Sequence, residues 1–367
     1  MELRQKNLET LLAFFGPETR APGGAKVRAK LFAPKGVKEQ VYPIGTAHTD
    51  PSAVYPAHEL LEQQPDVNCG LDLDCVIWAT EDPGCFHAET VETGDLELCG
   101  NTGPFRHYCL HTFQLEDGMI TRWQVFPNTF TVYTPLGIEM TNARGPVPDG
   151  PVMELPPEMA RGMAENGRRI REELLPTLVL ESVSKKSAGG GSVRIYAYGT
   201  FDPQDEALRE KNRKSVALYF DKAGREALGI SRNDLFAENG LTEVPVDHMD
   251  PLNTDHHAFT TKPGPNTNPA DPYWRTEVLR FDATARPDCF WVETCSYHTP
   301  DAPEKPLDGM PTYTSRGYWN HYNFFFQVED GKILYCREFL DPRSERRVMG
   351  IQEAPLPDGA LDIYRYL

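Results

Sequence analysis

The chain has no apolar run approaching the roughly 20 residues that a bilayer-spanning helix needs, so no membrane partner is expected. It is also short of positive charge. Its 37 Lys and Arg stand against 54 Asp and Glu, a net charge of −17, which argues against nucleic acid or an anionic membrane surface as partner. No Cys-x-x-Cys pair occurs among the eight cysteines, at 69, 75, 85, 99, 109, 289, 295 and 336. They are scattered through apolar, strand-like text, the pattern of reduced and mostly buried thiols rather than of disulfides or a zinc site. Asp247-His248-Met249-Asp250 and Asp255-His256-His257 are dense in potential ligands. Neither has a regular zinc or calcium spacing, so no metal is expected. The opening Met1-Glu2-Leu3-Arg4-Gln5-Lys6 lacks the apolar core of a secretory signal, and a cytoplasmic location is the expectation. What remains is a globular composition, 40% apolar and 25% charged, over 367 residues, enough for two or three domains with cores of their own.

The sequence repeats itself. Pro83-Gly84-Cys85-Phe86-His87-Ala88-Glu89-Thr90 returns as Pro287-Asp288-Cys289-Phe290-Trp291-Val292-Glu293-Thr294, an offset of 204. Leu31-Phe32-Ala33 matches Leu235-Phe236-Ala237 at the same offset, and Lys6-Asn7 matches Lys211-Asn212 at 205. Leu115-Glu116-Asp117-Gly118-Met119-Ile120 matches Val328-Glu329-Asp330-Gly331-Lys332-Ile333 at 213, as Gly137-Ile138 matches Gly350-Ile351. An ordered series whose offset steps from 204 to 213 is a duplication with nine residues inserted in the second copy.

Each copy gives the same succession of signals. An amphipathic helix, 6–15 or 207–222, is followed by a second short helix and then by strand text. Asp-Gly between apolar runs predicts tight hairpins at 117–118 and 330–331. Helices followed by a long antiparallel meander give an α+β unit in which helices close one face of a curved sheet. Between the copies, 154–175 has helical spacing, and Lys185-Lys186-Ser187-Ala188-Gly189-Gly190-Gly191-Ser192 reads as a flexible linker. The expected organisation is a first unit over 1–150, a helix and Gly-rich linker over 151–195, and a second unit over 196–367.

The order helix, Leu-Phe-x-x-x-Gly, Phe-Trp-Val-Glu strand, then Asn320-His321, a strand, Glu329-Asp330-Gly331-Lys332-Ile333 and Glu338-Phe339 resembles the nuclear transport factor 2-like superfamily. More narrowly it resembles the phenazine-biosynthesis PhzA/PhzB family, most closely over Lys211 to Gly240 and Tyr273 to Gly350, and more weakly over 5–140. The resemblance implies cone-shaped units, each with an internal pocket, that pair through their sheets. The chain would then be an intrachain pseudo-dimer, with room for a further homodimer. It also implies condensation of a cyclic amino-ketone acid through imine formation, with no metal or organic cofactor.

The resemblance puts Glu338 at the acid/base carboxylate, His257 at the pocket histidine, Thr261 at a pocket serine and Arg232 at the carboxylate-binding arginine. From the residues alone, Glu338 alternates with Arg337 and Phe339 and would share an apolar face with Cys336 and Leu334. Desolvation there would raise its pKa and suit proton transfer. The other reading is a solvent-facing strand carboxylate paired to a neighbouring base. His257 and Thr261 would share one helix face, but the polar text around them also fits a surface loop, and His256 is a rival. Arg232 can hold a carboxylate in bidentate fashion or make an ordinary ion pair at a helix end. His321 is a satisfied strand histidine or a pocket residue. Trp274, Trp291 and Trp319 are core packing or a stacking surface for a flat substrate, with Trp274 taken as the binding position.

The first copy keeps Arg28 and His58 as binding positions, but Val125 stands where the second has Glu338, and Glu62 where it has Thr261. The expectation is a mainly structural first unit with a degenerate pocket. Three functions compete: an acid/base condensing or cyclising enzyme of secondary metabolism acting on a carboxylated or cyclic ketone, a small-molecule binding protein, and a SnoaL-like cyclase, isomerase or dehydratase. The fold hosts all three.

Overall fold

The computed structural model describes residues 2–41, 53–66, 69–127, 136, 183–186, 189–244, 258–260, 273–302 and 317–341. They fall into two compact units, one drawn from Met1–Ala143 and Leu180–Thr200, the other from Phe201–Glu353. The helical stretch expected over 154–175 lies outside the described residues.

In the first unit, α1 (Glu2–Phe14) buries Asn7, Leu8, Leu11 and Phe14, a stripe at helical spacing. It is followed by α2 (Gly24–Ala29), β1 (Phe32–Gln40), β2 (Ala53–Pro56) and α3 (Ala57–Gln63). The meander is β3 (Asp72–Ala79), β4 (Cys85–Leu98), β5 (Asn101–Glu116) and β6 (Met119–Pro127), and β7 (Val183–Lys186) and β8 (Ser192–Tyr198) come later. In the second unit, α4 (Glu206–Phe220) buries Arg209, Asn212, Val216 and Tyr219. Then come α5 (Lys222–Leu228), β9 (Phe236–Val244), β10 (Ala258–Thr260), β11 (Trp274–Ala283), β12 (Cys289–His298), β13 (Trp319–Glu329) and β14 (Lys332–Phe339).

The strand orders are β2-β1-β6-β5-β4-β3-β8-β7 and β10-β9-β14-β13-β12-β11, so the six common strands follow one topology. The duplication extends to individual hydrogen bonds. Asn7 Nδ2 donates to Pro83 O at 2.9 Å, and Asn212 Nδ2 to Pro287 O at 3.2 Å. Thr10 Oγ1 donates to Gly118 O, and Ser215 Oγ to Gly331 O, both at 2.7 Å. Both Asp-Gly pairs turn with positive φ, 49° and 79° at 117–118 and 48° and 77° at 330–331, as the hairpin signal requires. The offset step falls between β12 and β13, where the first unit has instead a long β4–β5 hairpin turning at Cys99-Gly100.

Two expectations need correcting. The sheets are mixed rather than antiparallel: β1 runs parallel to β6, β9 to β14 and β3 to β8. The chain crosses from β1 to the far edge before the meander begins, so the closing strand returns beside β1 in the same direction. The Gly-rich stretch is not a free tether. Its Lys185-Lys186 end lies in β7 and Ser192 opens β8, an antiparallel pair that extends the first sheet beyond β3. Ser192 is fixed there by its N–H and hydroxyl on Asp72 Oδ1, at 2.7 and 2.8 Å.

Candidate functional sites in the two cones

In the second unit one face of the sheet carries Phe290 and Val292 from β12 and Tyr322, Phe324 and Phe326 from β13, packed under Val216 and Tyr219 of α4. Alternation in β14 brings Cys336 to this face opposite Phe326, and Glu338 opposite Phe324. The expected partner Leu334 does not lie in this series, because the β13–β14 register shifts there and Ile333 joins the cluster instead. Glu338 is half-buried, at the rim of an aromatic floor.

Arg232 approaches from the turn before β9, which is held by Ser231 N–H and Oγ on Asp234 Oδ2 at 2.7 Å each. Its guanidinium carbon lies 4.3 Å from the Tyr219 ring centre, and its Nε is buried without a hydrogen-bond partner. Burial raises the Tyr219 phenol pKa, with Arg232 opposing and Cys336 and Glu338 adding to the rise. Burial likewise raises the Cys336 thiol, again with Glu338 adding and Arg232 opposing. Arg232, Tyr219, Cys336 and Glu338 therefore form one electrostatic cluster. Cys336 is a neutral thiol in it, not a nucleophilic thiolate.

The structure does not bring every expected residue to this cluster. His321 points to the opposite face, since it is three residues from Phe324 in an unbroken strand. There its Nε2 meets Glu293 Oε1 at 2.7 Å, and Arg280 Nη2 meets Glu293 Oε2 at 3.3 Å, a buried ion-pair network. Trp274 does share the face, stacking on Tyr318 at 5.2 Å and donating Nε1–H to Thr276 at 3.0 Å. Tyr318 is six residues from Phe324, however, about 20 Å along the strand, too far for Trp274 and Glu338 to grip one small ring. His256, His257 and Thr261 lie outside the described residues.

The first unit is far more polar than its sequence implied. Val125, fully buried, occupies the position of Glu338, and His111 opposite it that of Phe324. Arg28 repeats the Arg232 arrangement, its guanidinium carbon 4.8 Å from the Phe14 ring. His58 turns away, its Nε2 3.1 Å from Ala33 O, and Glu62 is exposed. A cavity of about 30 Å³ lies among Arg20, Arg28, Glu92, His107, His111 and Trp123, with Phe14, Phe15, Thr90 and Cys109 completing its wall.

The proton positions in this wall can be assigned. Trp123 Nε1–H donates to His111 Nδ1 at 3.0 Å, so that nitrogen carries no proton. His111 Nε2–H then donates to Thr90 Oγ1 at 2.9 Å. His111 is neutral, and burial together with His107, Lys38 and Arg28 pushes its pKa well down. Burial takes His107 to about 4, with Glu92 opposing. Burial takes Lys38, whose ammonium lies 4.6 Å from the Trp123 ring centre, to about 7. Burial lowers Arg28 to about 10, with Arg20 adding. Burial pushes Glu92 up, but Arg20, which is ion-paired to it, and His107 more than reverse this and hold it below its ordinary value. Sequence reading missed this set. The signal was His107, Cys109 and His111 at alternate positions of one strand, all reaching one face.

No helix among the described residues is long and apolar enough to cross a membrane. The profile of the family described as phenazine biosynthesis protein A/B matches residues 197–358, within the second copy. Phenazine biosynthesis protein PhzA of Pseudomonas fluorescens is 32% identical over 152 residues, 41% of this chain and 85% of that protein. PhzB1 of Pseudomonas aeruginosa is 31% identical over 159 residues, again 41% and 85%. Among solved structures, a phenazine biosynthesis-related protein (phzb2) from Pseudomonas aeruginosa aligns at 25% identity and a TM-score of 0.33, covering 42% of this chain and 91% of that one. Since a relative above 30% identity is covered over most of its length, the chain, two copies of one α+β unit in tandem, belongs to the phenazine biosynthesis protein A/B family.

Proposed function

We propose that the second unit is an acid/base catalyst of secondary metabolism that condenses or cyclises a carboxylated cyclic ketone through imine formation. The observation that carries this reading is the cluster itself: an arginine with a buried, unpartnered Nε stands beside a half-buried carboxylate over an aromatic floor. In this reading Arg232 binds the substrate carboxylate, and the ring rests on Tyr322 and Phe324. The Glu338 carboxylate takes one proton from the amine nitrogen as it attacks the carbonyl carbon and passes it to the ketone oxygen, giving a carbinolamine. It then takes the second proton from that nitrogen and passes it to the hydroxyl, which leaves as water, so that the carbon–nitrogen double bond forms and the carboxylate is regenerated. His257 and Thr261 would assist from a segment beyond the described residues. The names of the relatives, phenazine biosynthesis proteins, agree with a small-molecule substrate of this kind.

The test is incubation with a cyclic amino-ketone carboxylic acid, following by mass spectrometry a product that has lost one water per carbon–nitrogen double bond formed. The reading expects turnover by the full chain and a raised KM in Arg232→Gln with kcat little changed, because Arg232 acts in binding. Ligand binding with no acceleration over buffer would favour a binding protein instead.

A further inference from the structure

The first-unit cavity carries a charge that its own walls do not balance. Arg20 and Arg28 are 3% and 6% exposed, and a guanidinium stays protonated in a protein. Glu92 is the carboxylate of the wall, and His111 is neutral by its hydrogen bonds. The lining therefore holds two fixed positive charges against one negative. The guanidiniums also have donors to spare. Arg20 gives Nη1–H to Glu92, while its Nε and Nη2 are buried without a partner. Arg28 reaches Thr19 O with Nη2 at 3.5 Å, and its Nε has no partner either. Buried N–H groups of a charged side chain are rarely left this way unless water or a ligand satisfies them.

The rest of the wall indicates what the ligand is. Phe14, Phe15 and Trp123 present ring surface to the cavity, so the anion should have an apolar side. Phosphate or sulfate offers none, and a planar carboxylate suits the guanidinium fork. The space, about 30 Å³, admits roughly one to three water-sized groups. That fits a carboxylate with one or two carbons behind it.

We propose that the first unit is a binding site for a short monocarboxylate, its oxygens held by Arg20 and Arg28 and its carbon end set against Phe14, Phe15 and Trp123. This site is separate from the Glu338 cluster and does not depend on the function proposed for it.

The experiment titrates the full chain with sodium acetate against sodium chloride at matched ionic strength, reading the melting temperature, together with saturation transfer from protein protons to the acetate methyl group. Acetate should raise the melting temperature above the chloride control and show methyl transfer. Arg28→Gln should weaken acetate binding at least tenfold, and Glu338→Gln should leave it unchanged. If Arg28→Gln does not fold, methyl transfer in Arg232→Gln, which lacks the carboxylate-binding group of the second unit, decides, with displacement by excess propionate but not by sulfate expected. No acetate effect beyond chloride, equal displacement by sulfate, or full binding by a folded Arg28→Gln/Arg232→Gln double variant would overturn the proposal.

Discussion

Lys38 is fully buried in the first unit, and replacing it should make the protein more stable. In the unfolded chain its amine titrates near the ordinary lysine value of 10.5, whereas in the fold burial brings it to about 7. Arg28 adds to the depression, and Cys109 and Glu92 oppose it. Because the folded pKa is the lower one, the unfolded chain holds a proton between these two values that the folded chain has released. Stability therefore rises with pH from about 7 toward 10.5, and is lowest and flat below about 7. The span of about 3.5 pH units, at about 1.4 kcal/mol each, corresponds to about 5 kcal/mol. Lys38→Met keeps the length of the side chain and removes the ammonium. The variant forgoes the contact with the Trp123 face, about 1–2 kcal/mol when desolvated. It should still exceed the wild type by about 3–4 kcal/mol at pH 6, and the gap should close by about 1.4 kcal/mol per pH unit above pH 7. Urea unfolding of both proteins between pH 6 and 10, followed by tryptophan fluorescence, gives the gap as a difference in which other titrating groups cancel. A gap that does not vary with pH, or a variant less stable at pH 6, would refute the reasoning.

Further outcomes follow from other parts of the two units. Val125→Ala removes two buried carbons and should cost about 2 kcal/mol by thermal melt while leaving turnover intact. Asn7→Ala and Asn212→Ala each delete the Nδ2 donor that holds a carbonyl in an equivalent loop, and each should cost about 1–3 kcal/mol, Asn7→Ala the more because its Oδ1 also accepts from Gly118 N–H at 2.8 Å, as urea midpoints would show. Glu92→Gln leaves Arg20 and Arg28 facing each other without a buried counter-charge. It should destabilise by about 3–5 kcal/mol, and part of that loss should be recovered in added acetate.

The frame of this protein was legible because the repeat is written in residues with local consequences. Asn7 and Asn212, Thr10 and Ser215, and the two Asp-Gly turns each specify one bond or one backbone conformation, and each recurs in order. Arg232 and Glu338 are singled out through the family resemblance, the residues alone leaving an ordinary ion pair open for each. Other features depend on non-local pairing. Nothing in Ser192-Val193-Arg194-Ile195 states that it will lie beside β3, and the bulge that displaces Leu334 depends on its partner strand. The polar cavity was hidden because its members come from α2, β4, β5 and β6 and from the turn ending at Arg20. Each looks like an ordinary surface charge until the fold buries it.

The most direct test of the account is the turnover of Glu338→Gln, measured beside the wild type with a cyclic amino-ketone carboxylic acid and matched to a thermal melt. Glutamine keeps the size of the side chain opposite Phe324 and cannot exchange a proton. The account predicts an unchanged melt and a kcat lower by about 10²–10⁴-fold. Normal turnover by folded Glu338→Gln would contradict it, and would remove the acid/base role from the second unit.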